Sequence, residues 1–339
     1  MQKVKRIILF GGTLALFDFV VGASKKNFEV IIFTNDFRLN LPINELGTLK
    51  NNLETKGFDY IKTDNLSKEK ISKYIDKYTI GLSITTIWIF KEDIIKLFDG
   101  KLYNYHGARL PEERGGGTYT WKILSRSRMG GLTIHQVLPS IDTGDIVFAH
   151  EFIFPNECRI PIDYMKHVES EEREFLLHFL NMLEQGQELK LIPQQEDHAS
   201  YWPILNTTMN GSVDWDWNVD EIEIFINAFD DPYKGAFTFY ENRKIHLKKC
   251  FKNDQAETFH PFQAGIIFRI HNETLYIAAV GGCIAVKDVF DEKGNRINNQ
   301  IRIGYRLHTP YSHLESAKKD KARYGSRGLQ SSKRAIRRE

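Results

Sequence analysis

The chain has 339 residues, enough for two domains of ordinary size. Its 42% hydrophobic and 12% aromatic residues can fill packed cores, which excludes a wholly disordered protein. Three widely spaced cysteines, an odd number, form neither a disulfide framework nor a metal-ligand spacing, which fits a reducing cytoplasm.

The formal charge of +2 hides an asymmetry. Residues 315–339 carry nine Lys or Arg and three Asp or Glu, which leaves 37 basic and 41 acidic residues for positions 1–314. With almost no apolar periodicity, this segment is predicted to be a disordered basic tail. It is either a solubilising extension or a contact for nucleic acid or an anionic membrane.

The first 24 residues imitate a signal peptide, because Lys3, Lys5 and Arg6 precede an apolar run. Polar and glycine residues interrupt that run, and no stretch reaches the roughly 18–20 apolar residues that span a membrane. A strand at 6–10, a turn at 11–13, a helix at 14–24 and a strand at Glu29–Thr34 explain the pattern better. The turn is not a GxGxxG fingerprint, so no dinucleotide site is predicted.

Apolar strands and amphipathic helices go on alternating as far as residue 184. Repeated βα units predict an α/β fold with a mostly parallel, doubly wound sheet, whose functional groups lie at the carboxyl ends of the strands. The predicted helices cover 68–78, 91–98, 119–125 and 164–184, and the predicted strands cover 80–84, 101–105, 133–138 and 145–154.

A polar segment at 186–210, with Pro193 and Pro203, predicts a linker. A helix at 220–229 and five short strands follow, a pattern typical of a small β-barrel. The predicted strands cover 236–240, 244–250, 265–270, 274–279 and 285–290. We therefore divide the chain into an α/β domain (1–206), an OB-like β-barrel (207–314) and the tail (315–339).

The densest polar cluster begins at the end of one strand. Asn104 and His106 are two residues apart, so their side chains leave the same face. Histidine can move a proton near neutral pH, and an amide can donate to an oxygen that becomes negative during acyl transfer. Asp142, on a later turn, could orient the imidazole. A buried core histidine, a turn-forming asparagine and an ordinary Asp-Thr-Gly turn are the structural alternatives.

The order of these motifs resembles the signature of the folate-dependent formyltransferases. That signature here is the Asn104–His106 pair, Leu110-Pro111, Arg114-Gly115 and Asp142-Thr143-Gly144. Residues 130–147 (GGLTIHQVLPSIDTGDIV) resemble the family's segment around its catalytic aspartate, and residues 213–239 resemble the start of its carboxyl-terminal barrel. The resemblance covers about residues 5–200 and extends to about residue 249.

The resemblance implies transfer of a formyl group from 10-formyltetrahydrofolate to a primary amine, with no metal. His106 would accept the amine proton, and Asn104 with His106 would stabilise the oxyanion. Asp142 would hold the imidazole and help to protonate the departing folate nitrogen. The family's pterin-binding loops match Ile87, Trp88, Ile89, Phe90, Leu138, Pro139 and Ile141, for which core packing is the alternative.

The chain departs from the family on the acceptor side. Many relatives have a Ser-Leu motif after the histidine, where this chain has Gly107-Ala108-Arg109. Many also have an Ala-Pro pair after the Arg-Gly, where this chain has Gly116-Gly117. Arg109 and Arg114 are candidates to bind a pyrophosphate of the acceptor. Tyr119 and Trp121 are further candidates for the acceptor site, and the alternative for them is that they pack in the core and anchor their helix. These differences affect the choice of substrate more than the chemistry.

The family offers three acceptors: initiator methionyl-tRNA, glycinamide ribonucleotide, and amino sugars carried on nucleotides or lipids. The predicted barrel disfavours the glycinamide enzymes, which have a single domain. A tRNA site needs Lys and Arg, yet residues 207–314 carry 12 basic and 14 acidic residues. We therefore expect a nucleotide-linked amino sugar, with tRNA as the alternative.

A non-catalytic folate- or sugar-binding module is the second alternative. The presence of Asn104, His106 and Asp142 together argues against it, since a decayed site has no reason to keep all three. The oligomeric state is left open, a homodimer being one option.

Overall fold

The computed structural model describes residues 3–45, 47–86, 88–116, 118–253, 258–325 and 328–330. The described residues up to Trp202 form an α/β unit. The strands are β1 (Arg6–Gly11), β2 (Glu29–Thr34), β3 (Pro42–Asn44), β4 (Gly47–Thr48), β5 (Ile61–Lys62), β6 (Thr79–Ile84), β7 (Leu102–His106), β8 (Arg114–Gly115), β9 (Met129–Gln136), β10 (Ile146–Ile153) and β11 (Tyr201–Trp202). The helices are α1 (Leu14–Lys25), α2 (Asp36–Leu39), α3 (Leu49–Thr55), α4 (Lys68–Ser72), α5 (Glu92–Ile95), α6 (Thr118–Leu124) and α7 (Pro161–Glu184), with 3-10 turns at Lys96–Phe98 and Glu196–His198.

Seven strands form one sheet in the order β10-β9-β7-β6-β1-β2-β5. The five strands from β7 to β5 are parallel, whereas β9 and β10 pair in antiparallel fashion. Alternate residues of β1 serve two cores: Ile7 and Leu9 join α1 and α7 on one face, and Ile8 and Phe10 join α5 on the other. This arrangement confirms the predicted α/β fold with a mostly parallel sheet covered on both faces.

The second unit contains a five-stranded antiparallel sheet. Its strands are β12 (Ala236–Tyr240), β13 (Arg243–Lys252), β14 (Ile267–His271), β15 (Thr274–Ala279) and β16 (Gly282–Asp291), in the order β12-β13-β16-β15-β14. Residues 304–308 bond to both outer strands: Ile267 N–H donates to Tyr305 O, and Phe239 N–H donates to His308 O. This segment therefore joins the two edges, as a barrel requires. The OB-like description stays a prediction.

Short helices surround this sheet and connect it to the α/β unit. They are α8 (Thr207–Asn210), α9 (Val219–Ala228) and α10 (Tyr311–Lys319), with 3-10 turns at Pro261–Gln263 and Asn298–Gln300. The proposed boundary after residue 206 falls at Asn206, whose side chain caps α8. Two ion pairs, Arg126–Glu221 at 2.6 Å and Arg159–Glu223 at 2.5 Å, cross between the units.

The predicted disordered tail differs from the structure at its start. Helix α10 continues to Lys319, and Asn210 Nδ2 donates to the carbonyls of Ala317 and Asp320 at 2.8 and 3.0 Å. Strands β17 (Arg323–Gly325) and β18 (Gly328–Gln330) follow, while residues 326–327 and 331–339 lie outside the described part. No residue of this polar helix is buried, so its sequence lacks the apolar periodicity that would predict it.

The helix predicted for residues 68–78 ends at Ser72. Beyond it, the carboxylate of Asp76 accepts from Tyr78 N–H at 2.8 Å and from the Thr79 hydroxyl at 2.8 Å. Arg6 donates to the Tyr74 carbonyl at 2.9 Å. Such side-chain hydrogen bonds compete with helical ones, so the apolar pattern overestimates the helix.

None of the helices in the described ranges is both long and apolar enough to cross a bilayer. Cys158, Cys250 and Cys283 are free and buried.

Candidate active site

Strand β7 carries the first two site residues on one face. Asn104 lies directly opposite His135 of β9, and Asn104 Nδ2 is 3.2 Å from His135 Nε2. His106, two residues further along β7, is 9% exposed. The ends of two antiparallel neighbours thus bring an amide and two imidazoles together.

The imidazole of His106 is oriented by a backbone carbonyl. Its Nε2 lies 2.7 Å from the carbonyl oxygen of Glu113, so Nε2 carries a proton and donates it. Its Nδ1 keeps a lone pair and lies 3.8 Å from Asp142 Oδ2. Burial lowers the pKa of His106, although the charge of Asp142 opposes that effect. His106 is therefore a neutral base at pH 7.

Glu113, which orients His106, is itself fixed by two other groups. Its carboxylate accepts from the backbone N–H of Arg109 at 3.0 Å and from Lys122 Nζ. Lys122 is 3% exposed and also donates to the Met129 carbonyl at 2.6 Å. A buried ion pair therefore supports the backbone behind the base.

Asp142 lies in the loop between β9 and β10, with a left-handed φ of +54°. Its Oδ2 accepts from Gly115 N–H at 2.9 Å, and its Oδ1 is 3.4 Å from His135 Nε2. Burial alone would raise the pKa of Asp142, but its polar neighbours, the imidazoles of His135 and His106 and the Gly115 N–H, together lower it to about 2. The group is thus a carboxylate at neutral pH.

Gln194 holds this acidic loop in place. Its Nε2 donates to the carbonyls of Asp142 and Gly144 at 2.9 and 2.7 Å, and its Oε1 accepts from Arg114. Arg114 is 7% exposed and also pairs with Glu196 at 2.6 Å. The guanidinium predicted to meet a pyrophosphate is thus already bonded on both sides and supports the loop.

The segments predicted to bind the pterin expose apolar side chains. Ile89 is 77%, Leu138 45% and Ile141 49% exposed, and Pro139 is exposed as well. Trp88 is half-buried, with its Nε1 bonded to the Asp64 carbonyl at 3.0 Å. These surfaces suit a flat, largely apolar ring.

The other two residues predicted to bind the donor are not among these exposed side chains. Phe90 is 7% exposed and packs edge-on against Phe10 at 5.1 Å, as a core residue does. Ile87 lies outside the described residues.

The residues predicted to bind the acceptor differ in their surroundings: some anchor a helix, and one lies partly exposed. Tyr119 packs against Tyr164, with ring centroids 6.3 Å apart, and burial raises its pKa well above the usual range. Trp121 Nε1 donates to the Pro203 carbonyl at 2.8 Å. Arg109 and Trp121 line a cavity of about 210 Å³ together with Glu113. Tyr119 and Trp121 therefore anchor helix α6, whereas the partly exposed Arg109 guanidinium lies 3.6 Å from the Glu113 carboxylate.

Four residues of this arrangement were not predicted: His135, Glu113, Lys122 and Gln194. A histidine near the end of an apolar run was the available signal for His135, because the run (MGGLTIHQ) predicts a buried strand. The other three act through contacts with distant segments, for which the sequence pattern gives no signal. Among the described residues, no three His, Cys, Asp or Glu residues are placed to hold a metal ion.

Comparisons with known proteins agree with this geometry. The formyl transferase family model matches residues 21–179, and the model of the formyl transferase C-terminal domain matches residues 206–301. A methionyl-tRNA formyltransferase from Acetivibrio thermocellus is 25% identical over 258 residues, 76% of this chain and 79% of the relative.

Two solved structures share the fold. WlaRD, a sugar 3N-formyl transferase, has a TM-score of 0.62 at 18% identity, covering 84% of this chain and 98% of its own. The N-formyltransferase from Helicobacter canadensis has a TM-score of 0.64 at 18% identity, covering 87% and 100%. Because the two family models together span most of the chain, in the order of its two structural units, the chain belongs to the formyl transferase family and is a formyltransferase.

Proposed function

We propose that this enzyme transfers the formyl group of 10-formyltetrahydrofolate to the primary amine of a nucleotide-linked amino sugar. The observation that supports the chemistry best is the cluster of Asn104, His106 and Asp142, in which a neutral base faces an ionised carboxylate. This combination suits an amine that must lose a proton as it attacks a carbonyl carbon.

His106 would take the amine proton on Nδ1. The Glu113 carbonyl already accepts from Nε2, so the ring is held with its free nitrogen towards the site. Once protonated, the imidazolium faces Asp142 Oδ2 at 3.8 Å, and this charge favours proton uptake.

Asn104 would stabilise the formyl oxygen as negative charge develops on it. One N–H of its amide is directed at His135 Nε2, which leaves the second N–H for that oxygen. A preorganised donor of this kind contributes about 3 kcal/mol to transition-state stabilisation in acyl transfer.

Asp142 would act through its charge. With a pKa of about 2, its carboxyl group holds no proton at neutral pH and cannot itself protonate the leaving nitrogen. We infer that the protonated His106 returns the proton to that nitrogen while Asp142 stabilises the imidazolium.

The bound donor supplies the formyl group. Leu138, Ile141, Trp88 and Ile89 would hold its ring, because they expose apolar surface on the segment before Asp142 and on the segment after β6, the strand that pairs with β7. The WlaRD structure was obtained with 5-N-formyl-THF, and the Helicobacter canadensis structure with folinic acid, which supports a folate donor.

The acceptor is the less constrained half of the proposal. The Helicobacter canadensis enzyme was crystallised with dTDP-3-aminofucose and WlaRD with dTDP, which favours a nucleotide-linked amino sugar. The curated relative, in contrast, is a methionyl-tRNA formyltransferase. The net charge of −2 over residues 207–314 argues against a tRNA surface, so tRNA is the second candidate.

The test is formylation of a panel by the full-length protein with 10-formyltetrahydrofolate. The panel contains dTDP- and UDP-linked 3-amino and 4-amino sugars and charged methionyl-tRNA, with products read by mass. We expect formylation of at least one amino sugar and little of the tRNA. Efficient tRNA formylation would transfer the proposal to the second candidate, and release of formate without any formylated amine would contradict both.

A further inference from the structure

A cavity between the two structural units takes no part in the proposed chemistry. It has a volume of about 540 Å³ and is enclosed by α6, residues 203–205, α9 and α10. Small-molecule pockets in proteins measure roughly 300–1,000 Å³, so a ligand of ordinary size fits this space. Asn104, His106 and Asp142 do not line it, which separates the cavity from the site of formyl transfer.

Most of the cavity wall is apolar, and four aromatic side chains contribute to it. Trp121 belongs to α6, Trp217 precedes α9, Phe225 lies within α9 and Phe229 lies at its end. The rings of Trp217 and Phe225 pack edge-on, with centroids 5.0 Å apart. Trp121, Trp217 and Phe225 are only half-buried, so a ligand can contact their rings. Such walls suit the apolar body of a small molecule.

Most of the polar residues of the wall lie together at one end. Asn210 Nδ2 donates to the carbonyls of Ala317 and Asp320, at 2.8 and 3.0 Å, which brings Asn210 next to the last turn of α10. Lys318, Asp320 and Lys321 lie on the same stretch of chain and also line the cavity. The cavity is therefore amphipathic, with an aromatic body and a polar end.

The polar end carries more positive than negative charge. Among the described residues, neither Lys318 nor Lys321 lies within 4.0 Å of a carboxylate, and both are exposed. Glu221, another lining residue, is already paired with Arg126 at 2.6 Å. Asp320 is then the one lining carboxylate that opposes two ammonium groups. This balance favours a ligand whose polar head is an anion.

We propose that this cavity binds an apolar molecule with a single carboxylate head, of the fatty-acid type. Its body would lie against Trp121, Trp217 and Phe225, and its head would lie near Lys318 and Lys321. The walls come from both structural units, so the bound molecule would contact both and stabilise the folded enzyme. The proposal goes beyond formyl transfer and does not depend on it.

The probe is decanoate, kept below the concentration at which it forms micelles and added to the full-length protein. Calorimetry and the shift in Tm measure its binding. We expect saturable binding to the wild type and a raised Tm, because the ligand binds only the folded state. Decan-1-ol and decylamine have the same chain with a neutral and a cationic head, and both should bind at least about fivefold more weakly.

A317F tests whether the cavity is the binding site. Ala317 lines the cavity, so a phenylalanine there should occupy the space of the ligand and weaken decanoate binding by about tenfold or more. S316F is the matched control, because Ser316 is the exposed neighbour on the same helix and does not line the cavity. It should bind decanoate like the wild type.

K318Q/K321Q tests the position of the carboxylate head. The double variant should bind decanoate about fivefold more weakly and decan-1-ol as tightly as the wild type does. Because both lysines are exposed and lack ion pairs among the described residues, the Tm of the free protein should not change. K319Q is the matched control, since Lys319 pairs with Glu315 at 2.7 Å and does not line the cavity.

Three outcomes would overturn the proposal. The first is the absence of saturable decanoate binding to the wild type, and the second is equal binding to A317F and S316F. The third is equal decanoate affinity of K318Q/K321Q and K319Q, which would remove the two lysines as partners of the head. None of these measurements involves formyl transfer, so failure of the proposed function and failure of this site are distinguishable.

Discussion

Asn104 and His135 face each other across β7 and β9, with the amide nitrogen 3.2 Å from the imidazole nitrogen. The other ring nitrogen of His135 lies 2.8 Å from the Gln136 carbonyl, so that nitrogen carries the proton and Nε2 accepts from the amide. His135 thereby decides which edge of the Asn104 amide faces the site.

Replacing His135 tests this positioning role. H135L removes the acceptor for the Asn104 amide, and we expect kcat to fall by roughly tenfold or more with little change in the KM of the donor. H135Q keeps an oxygen near the same position and should recover a large part of the loss. Equal activity of H135L and the wild type would contradict the role of His135, as would a loss confined to Tm.

His106 gives the most direct test of the base. H106N should fold and bind tetrahydrofolate but lose turnover by roughly 10²–10⁴-fold. Burial lowers the pKa of His106, so wild-type kcat/KM should be flat through pH 7 and fall only at acidic pH, where the imidazole becomes protonated. A variant with near-normal turnover would remove His106 from the mechanism.

The carboxylate of Asp142 raises the pKa of His106, so D142N should also change the pH dependence of the rate. Besides losing turnover, D142N should move the acidic limb of the pH profile to lower pH, because the imidazolium loses its neighbouring negative charge. D145N is the matched control three residues away, and we expect it to change neither turnover nor the profile. Greater damage from D145N would mean that the wrong carboxylate had been chosen.

The pattern of apolar segments predicted most of the fold. The strands Glu29–Thr34, Ala236–Tyr240 and Thr274–Ala279 have the predicted bounds, because each is a short apolar run between turn residues. Strands β8 and β11, of two residues each, could not be found this way, since they exist only through pairing with each other. Pairing partners so far apart in the chain leave no local periodicity.

In the candidate site, too, the sequence motifs predicted some features, whereas contacts between distant segments were not predictable. Asn104, His106 and Asp142 were predicted from motif order, and the structure brings them together at the ends of β7 and β9. The hydrogen bond that orients His106, which the resemblance assigned to Asp142, comes from the Glu113 carbonyl. A backbone acceptor carries no side-chain identity, so no sequence motif can reveal it.

Glu172 of α7 should make stability depend on pH. Burial raises the pKa of Glu172 to about 7, from a usual value of 4.5, and the charges of Glu169 and Asp18 add to the effect. Between these two pH values the folded state keeps a proton that the unfolded state has lost. Its contribution to stability is therefore full below pH 4.5 and is lost as the pH rises through 7.

E172Q should consequently be stabilised relative to the wild type at pH 8, by at most about 3 kcal/mol, and much less at pH 5. Urea denaturation at the two pH values measures this difference. E174Q, an exposed residue on the same helix, is the control and should show no such trend. A constant difference between E172Q and the wild type across pH would contradict the assignment.

The buried Lys122–Glu113 pair should matter for both stability and catalysis. K122M removes the nearer of the two cations beside the Glu113 carboxylate and leaves only Arg109, 3.6 Å away, so we expect a loss of about 3 kcal/mol in the free energy of unfolding. The double variant K122M/E113Q should recover part of this loss, because the buried side chain that has lost Lys122 is then uncharged. Denaturant titration of both variants decides the matter, and a double variant less stable than K122M would contradict it.

The acceptor determines the expected salt dependence. The structure places residues 311–319 in a helix, so a deletion that tests the tail should begin at Ser331, beyond the described strand β18. The deleted segment carries four Lys or Arg and one Glu.

If a compact amino sugar is the acceptor, the shortened enzyme should formylate it at close to the full-length rate, with a weak dependence on salt. If tRNA is the acceptor, the log of its affinity should fall by about 0.9 for each phosphate contacted per tenfold rise in salt, and the deletion should flatten that slope. Tight, strongly salt-dependent tRNA formylation that is lost on deletion would make the tail the tRNA contact, with His106, Asn104 and Asp142 unchanged in their roles.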